Sequence, residues 1–379
     1  MLLPAMMELC EIIRGEMEAC GVISFARFME LSLYCPEFGY YERLVHTPGK
    51  GGDFYTSPGV GSLFGELLAF QFARWMEESG FEQFQLLEAG AHDGRLAEDI
   101  LNWFKSRRPD LLDILEYRIL EPSPRRRQWQ EKGLRPFAGK VNWFEAWNEP
   151  PAAGVQGVIF SNELLDALPV HRLGWDAKAR TWFEWGVAME EGNFVWRRLS
   201  GAVVPRIRIP HSKIFAPPSA FRAPQDETLL SVLPDGFTTE VSPAAEAWWR
   251  QAASSLGRGR LLTFDFGMNA EEFFLPHRAN GTLRAYHGHR LGTDLLANAG
   301  EQDLTAHVNF SGLREAGESA GLRTEGLVSQ EEFLKRAAEA AWSEPSVFGE
   351  WTTARTRQFQ TLTHPEHFGR AFQVLVQSR

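Results

Sequence analysis

Residues 86–101 read Leu-Leu-Glu-Ala-Gly-Ala-His-Asp-Gly-Arg-Leu-Ala-Glu-Asp-Ile-Leu. A short apolar strand runs into a tight turn that contains Gly90 and Gly94, and an amphipathic helix follows. Glycines at such a turn allow positive φ angles and let a ligand approach the backbone closely. A strand, turn and helix in this order are typical of the cofactor-binding loop of a doubly wound α/β domain.

The acidic residue Glu88 at the start of this loop indicates the class of cofactor. A bound pyrophosphate favours helix-terminal amides with no carboxylate beside them. S-adenosylmethionine carries an ammonium and a sulfonium group, which a carboxylate favours. The loop therefore predicts S-adenosylmethionine, with Glu88, Gly90 and Gly94 as cofactor-binding residues. A purely structural turn is the alternative.

The rest of the chain alternates between strand-like and helical patterns, as a parallel sheet with crossover helices requires. The predicted strands cover residues 84–88, 116–121, 140–144, 156–161, 260–266 and 372–376. The predicted helices cover residues 5–19, 24–33, 60–78, 95–106, 124–132 and 243–256. Residues 170–209 alternate in the manner of an inserted antiparallel β region, and residues 268–310 resemble a long loop.

Composition excludes several classes of protein. The 379 residues carry 39 basic and 49 acidic side chains, and this net charge of -10 disfavours nucleic-acid binding. No apolar run approaches the roughly 18 residues that span a bilayer. The start of the chain has neither the signal-peptide nor the transit-peptide pattern. The three cysteines lie near the N-terminus without metal-ligand spacing, which is typical of thiols in a reducing cytosol.

Polar side chains follow two further strands. Glu121 ends the strand after the glycine loop, where a carboxylate accepts hydrogen bonds from a ribose diol; a solvated acid is the alternative. Asn162 and Glu163 end the strand at 156–161, where they would face the substrate nitrogen and the cofactor methyl group. A carboxylate there can orient a guanidinium group. Asp166 is interpreted equally well as a helix cap or as an active-site residue.

The segment at residues 51–58 places Asp53, Thr56 and Ser57 on a loop just before a helix. These polar groups are predicted to contact the cofactor, although Thr56 or Ser57 could equally cap the helix.

Residues 281–310 contain His287, His289 and His307 together with Asp303. No two of the histidines have the spacing of a helical metal-ligand pair, and no cysteine accompanies them, so no metal site is predicted. A polar segment over the substrate site is favoured. His307 is a candidate proton acceptor, and a structural role in hydrogen bonding is the alternative for all three histidines.

Taken together, these segments resemble the MidA family, also known as DUF185, which includes the mitochondrial complex I assembly-factor methyltransferase. The matching residues run in order along almost the whole chain. They are Leu33 to Tyr41, Gly52-Asp53-Phe54, Thr56-Ser57-Pro58, Phe64-Gly65-Glu66, Glu88-Ala-Gly90, Asn162-Glu163, Asp166 to Pro169, Asp265 with Gly267, Gly281 to Arg284, Asp303 with Thr305 and Phe310, and Phe372 to Leu375.

The resemblance implies a class I S-adenosylmethionine-dependent methyltransferase with a seven-stranded Rossmann-like sheet. Members are linked to symmetric dimethylation of an arginine in a complex I subunit. Carried over by position, Glu88, Gly90 and Glu121 would bind the cofactor, and Asn162 and Glu163 would lie on the substrate side.

Three positions depart from the family pattern. His92 stands where the loop usually has its middle glycine, Gly59 where Glu often follows Ser-Pro, and Asn309 where Asp is usual. These changes bear on substrate identity more than on fold.

The sequence therefore predicts an α/β enzyme with an N-terminal helical extension over residues 1–80. A methyltransferase domain follows over residues 81–379, with insertions at about 172–258 and 268–310. The predicted reaction is methyl transfer to a protein arginine, with Glu163, Asn162 and His307 as catalytic candidates and a complex I type subunit as the substrate. A small-molecule O- or N-methyltransferase and a non-catalytic assembly factor are the alternatives. A cytoplasmic monomer or homodimer that neither inserts into membranes nor binds nucleic acid is expected.

Overall fold

The structure is a computed structural model that describes residues 2–43, 56–147, 154–199, 227–288 and 290–379. Its α-helices are α1 Leu2–Cys20, α2 Phe25–Tyr34, α3 Ser57–Val60, α4 Leu63–Ser79, α5 Arg95–Arg107, α6 Pro109–Ile114, α7 Pro124–Gly133, α8 Glu227–Val232, α9 Pro243–Ser255, α10 Phe310–Ser319, α11 Gln330–Ser343, α12 Pro345–Phe348 and α13 Thr353–Leu362. Within these ranges no helix is both long and apolar enough to cross a membrane.

The strands in the same ranges form three sheets. In chain order they are β1 Ile23–Ser24, β2 Phe84–Ala89, β3 Leu115–Leu120, β4 Val141–Phe144, β5 Val155–Asn162, β6 His171–Asp176, β7 Thr181–Glu190, β8 Asn193–Arg198, β9 Thr238–Val241, β10 Leu256–Met268, β11 Arg284–His287, β12 Arg290–Leu291, β13 Asp303–Thr305, β14 Val308–Asn309, β15 Arg323–Ser329 and β16 Phe372–Ser378.

The central sheet has the order β15-β16-β10-β5-β2-β3-β4, and β14 pairs briefly with β10. Strands β4, β3, β2, β5 and β10 pair in parallel, whereas β16 runs antiparallel to both β10 and β15. The chain moves outward from β2 to β4 and then returns to the other side of β2 with β5. This reversal places the binding crevice at the carboxyl ends of β2 and β5. The doubly wound α/β fold predicted from the sequence is confirmed.

Continuous apolar runs form the inner strands because both faces of the sheet are covered. Leu86 packs into a core beneath α4 and α5, and Leu87 packs into the opposite core beneath α9 and α10. Both leucines are fully buried. This two-sided burial fixes the positions at which β2 and β5 end, and therefore the positions of the polar residues that follow them.

The expected antiparallel insertion is present as a second sheet, in the order β1-β7-β6-β9 with β8 beside β7. The N-terminal extension joins this sheet through β1, where Ile23 pairs with Val187. Residues 268–310, expected to be loop-like, instead contain the small sheet β12-β11-β13 and short 3-10 helices. Strands of two to four residues are too short to produce a periodic sequence pattern, which is why they were missed.

Candidate active site

A cavity of about 290 Å³ lies at the carboxyl ends of β2, β3 and β5. The loops after these three strands form one side of it. The N-terminal residues Tyr34, Tyr40 and Tyr41 and the segment around β11 and β13 form the other side. Seven of the residues predicted to form the site line it, namely Thr56, Glu88, Gly90, Glu121, Asn162, Glu163 and His307.

Glu88 is the penultimate residue of β2, and its side chain is almost fully buried. Its Oε2 atom accepts a hydrogen bond of 2.6 Å from the hydroxyl of Tyr117 on the neighbouring strand β3. Burial raises the pKa of Glu88 to about 7, against the opposing effect of the Tyr117 hydrogen bond. Glu88 is thus held in one orientation and changes charge near neutral pH.

The loop after β2 turns through left-handed conformations. Gly90 has a φ of 74° and Gly94 a φ of 85°, which glycine adopts without strain. His92 lies between them with a φ of 49°, in a region that costs a residue with a Cβ atom about 1 kcal/mol. Gly90 lines the cavity but Gly94 does not. A Cβ atom at Gly94 would lie 3.4 Å from the backbone of Gln130, so this glycine lets α7 pack against the loop.

Glu121 follows β3 and is fully buried within a polar network. Its Oε1 atom accepts 2.9 Å from the backbone N–H of Ser123, and its Oε2 atom accepts 2.9 Å from the side-chain amide of Gln130. Arg126 lies 3.4 Å from Oε1 and compensates the buried charge. A carboxylate oriented in this way, at a cavity wall, is suited to accept hydrogen bonds from a ribose diol.

Asn162 is the last residue of β5, and it forms a pair with Glu163, which follows it. The amide nitrogen of Asn162 donates 3.0 Å to Oε1 of Glu163, which also accepts 3.1 Å from the backbone N–H of Ser57. Glu163 as a whole is partly exposed, yet desolvation around its carboxyl group raises its pKa to about 7, and the nearby Asp303 adds to this rise.

Asp166 lines the cavity and forms a side-chain hydrogen bond with Asp265, which is fully buried at the end of β10. Two buried carboxyl groups in contact disfavour each other's charged form. Desolvation and the neighbouring carboxylates raise the pKa of both groups. Asp166 therefore belongs to the cavity wall rather than to a helix cap, since no helix begins after it before β6.

The segment before α3 contributes less to the cavity than the sequence predicts. Thr56 lines it and also caps α3 by accepting from the N–H of Gly59. Ser57 does not line it; the buried hydroxyl of Ser57 donates to Gln330, and its backbone N–H holds Glu163. Asp53 lies outside the described residues.

Aromatic residues near the N-terminus close the cavity, and sequence reasoning assigned them no role. The Tyr41 hydroxyl donates 2.8 Å to Oδ1 of Asp303, and the Tyr34 hydroxyl donates 2.9 Å to the carbonyl of Ala167. The two tyrosine rings stack 5.5 Å apart. Their only sequence signal is the family resemblance at residues 33–41, because tyrosines alone do not distinguish a cavity wall from a core.

The histidines have separate roles. His307 lies against the Phe266 ring, and burial lowers its pKa to about 4, with Arg278 and Arg284 adding to the effect, so its imidazole is neutral at physiological pH. His287 donates 2.7 Å from its Nδ1 atom to the Glu301 carbonyl and does not line the cavity; His289 is outside the described residues. Within the described ranges no three histidine, cysteine or acidic side chains are grouped as metal ligands.

Comparison with known proteins identifies the chemistry of this cavity. Residues 67–328 match the Methyltransf_28 family of S-adenosyl-L-methionine-dependent methyltransferases. The chain belongs to this family. A crystal structure of a COG1565 superfamily member from Burkholderia thailandensis, bound to S-adenosyl-homocysteine, is 31% identical, with a TM-score of 0.80 over 100% of this chain and 93% of that one.

Curated relatives are more distant. The mitochondrial protein arginine methyltransferase NDUFAF7 of Danio rerio is 27% identical over 94% of this chain and 83% of its own length. The human protein of the same name is 27% identical over 84% of this chain and 71% of its own length. The resemblance noted from the sequence is therefore confirmed.

The side chains of this methyltransferase fit S-adenosylmethionine. The cofactor presents hydrogen-bond donors at its ammonium group and its ribose hydroxyls, and the cavity offers acceptors in Glu88 and Glu121. Because Gly90 has no side chain, the backbone between these two carboxylates is accessible to the cofactor. Glu88 would receive the ammonium group of the cofactor, and Glu121 would receive the ribose hydroxyls. The bound cofactor supplies an electrophilic methyl group on sulfur.

Proposed function

We propose that this methyltransferase transfers a methyl group to a guanidino nitrogen of an arginine side chain in a protein. The observation that carries the proposal is the orientation of Asn162. A carboxylate only accepts hydrogen bonds, so the Asn162 amide nitrogen must face Glu163 and its Oδ1 atom must face the other way. This oxygen is buried and has no hydrogen-bond partner among the described residues.

A buried acceptor without a partner costs about 1–3 kcal/mol, and a bound donor removes that cost. A guanidinium group has five N–H donors and no acceptor, which makes it a complementary ligand. The acidic residues Glu163, Asp166 and Asp303 line the same cavity, and the arginines that also line it are Arg95, Arg126 and Arg284. The walls also present the rings of Tyr34 and Tyr41, whose faces favour cations.

The chain's own groups suit the proton and positional requirements of the reaction. Attack by nitrogen forms the N–C bond while the C–S bond breaks and its electron pair stays on sulfur. The methylated nitrogen then loses one proton. Asn162 and Glu163 would orient the nitrogen, and the Glu163 carboxylate, with its pKa near 7, would accept the proton. Neutral His307 is a second candidate acceptor.

The names of the relatives support a protein substrate, since NDUFAF7 of Danio rerio and of Homo sapiens are named protein arginine methyltransferases. A complex I type subunit as substrate remains a prediction from the resemblance. The cytoplasmic location, the oligomeric state and the division at residue 80 also remain predictions; the relatives are named mitochondrial.

The test uses the purified protein, S-adenosylmethionine labelled in its methyl group, and a lysate of source cells from which the gene has been deleted. We expect labelled methylarginine after acid hydrolysis of the protein fraction. The Glu163→Gln variant should bind cofactor normally and lose this labelling. Label found only in small molecules would favour a metabolite methyltransferase. Absence of all labelling with cofactor binding retained would favour a non-catalytic assembly factor.

A further inference from the structure

One buried amide joins the two cofactor-binding loops. Gln130 lies on α7 with no exposed surface. Its Nε2 atom donates 3.0 Å to the backbone carbonyl of His92 and 2.9 Å to Oε2 of Glu121. Its Oε1 atom accepts 2.9 Å from the indole N–H of Trp143 on β4. Gln130 does not line the cavity, so its contacts to the site are indirect.

Each of these contacts has a defined consequence. The two hydrogens of an amide nitrogen diverge at a fixed angle, so one planar group sets the separation between the His92 carbonyl and the Glu121 carboxylate. The Trp143 bond identifies the oxygen side of the amide, because an indole N–H can only donate. The His92 carbonyl and the Glu121 carboxylate only accept, so they select the nitrogen side of the amide by themselves, and the Trp143 bond agrees with that orientation.

The backbone at His92 shows why such a support is needed. Its φ of 49° is unfavourable for a residue with a Cβ atom, and a glycine would adopt it freely. A hydrogen bond to the His92 carbonyl opposes relaxation of the loop to an ordinary conformation. Gly94, which packs directly against Gln130, keeps α7 close enough for this bond to form.

We propose that Gln130 is a positioning residue for cofactor binding. It holds the left-handed turn at His92 and the Glu121 carboxylate at a fixed separation from each other. The residue acts through these two groups and not by touching the cofactor. This inference depends on the family activity and is independent of which molecule accepts the methyl group.

The test compares three variants by calorimetric binding of two ligands, S-adenosylhomocysteine and methylthioadenosine. Methylthioadenosine retains the ribose but lacks the amino-acid end. The Gln130→Leu variant removes both donated bonds, and we expect S-adenosylhomocysteine to bind roughly tenfold or more weakly, as loss of one charge-assisted hydrogen bond implies. Methylthioadenosine should lose less affinity, because only its contact with Glu121 is affected. The Trp143→Phe variant is the matched control for packing, since it spares both donated bonds.

The Gln130→Glu variant provides a readout that a purely structural role would not affect. Its introduced carboxyl has no donor when ionised and repels Glu121, whereas its protonated form can donate one hydrogen bond. We expect its affinity for S-adenosylhomocysteine, divided by the wild-type affinity at the same pH, to improve as the pH falls from 8 to 6. If Gln130→Leu does not fold, the pH dependence of this variant still tests the proposal.

Two results would overturn the proposal. One is S-adenosylhomocysteine affinity within twofold of the wild type in a folded Gln130→Leu variant. The other is an equal loss for both ligands in Gln130→Leu and Trp143→Phe, which would mean that only the packing of α7 matters.

Discussion

The affinity for S-adenosylhomocysteine should rise with pH because of Glu88. The pKa of this carboxyl is raised to about 7 by burial, so ligand-free protein carries it mostly protonated at pH 6. With that pKa, about 9% of the molecules have Glu88 ionised at pH 6 and about 91% at pH 8. If the ionised form receives the ligand's ammonium group, affinity rises about tenfold over this range, or ~1.4 kcal/mol.

Isothermal titration calorimetry at pH 6, 7 and 8 in matched buffers measures this slope. The Glu88→Gln variant should bind more weakly at pH 8 and should show little dependence on pH. Glu163 provides the matched control, because its pKa is also raised to about 7 but we propose that it contacts the substrate and not the cofactor. Glu163→Gln should therefore keep the slope. In Tyr117→Phe the hydrogen bond that lowers the Glu88 pKa is absent, so the rise in affinity should move to higher pH.

The reasoning would be refuted by a flat pH profile in the wild type, or by a slope that survives in Glu88→Gln and disappears in Glu163→Gln. The second result would exchange the assignments of the two carboxylates.

Further outcomes follow from individual contacts. His92→Gly should stabilise the protein by about 1 kcal/mol in urea unfolding by relieving the left-handed φ, and no gain would mean that the strain is compensated. Glu121→Ala should weaken S-adenosylhomocysteine binding at least about tenfold by calorimetry, because a carboxylate there accepts from both ribose hydroxyls; unchanged affinity would contradict the placement of the ribose. Gly157→Ala should lower the unfolding free energy by about 3 kcal/mol, because a Cβ atom there collides with the Gln85 carbonyl of β2, whereas Gly139→Ala, with open space around it, should have little effect. In ligand-free protein the pKa of Glu88 is raised to about 7, so its contribution to stability is complete below about pH 4.5 and is lost as the pH rises through 7. The unfolding free energy of the wild type should therefore fall between pH 5.5 and 8, and that of Glu88→Gln should fall less.

Several features of the site could be predicted from the sequence because their signals are local. The continuous apolar run ending in Glu88 predicts a strand covered on both faces, and the glycines after it predict a turn with positive φ. Once the strands alternate with helices, their carboxyl ends must share one edge of the sheet. The sequence therefore predicts that Glu121 and Asn162 lie at one cavity, and both line it.

Other features depended on contacts between distant parts of the chain. Gln130 is an ordinary polar residue in the helical pattern at 124–132, and only packing places its amide between two loops. Tyr41 reaches Asp303 across 262 positions of sequence. Asp166 and Asp265 come within hydrogen-bonding distance because β5 and β10 are neighbours in the sheet.

The sequence by itself determined the order of strands and helices, because the hydrophobic period and the turn residues act over a few positions. It also placed an acid before the glycine loop, and this acid indicates the class of cofactor. Only the tertiary structure decided that His92 adopts a left-handed conformation in that loop, that Gly94 serves helix packing, and that Glu88 titrates near neutrality. These properties arise from burial and from groups brought close by folding, which no spacing along the chain encodes.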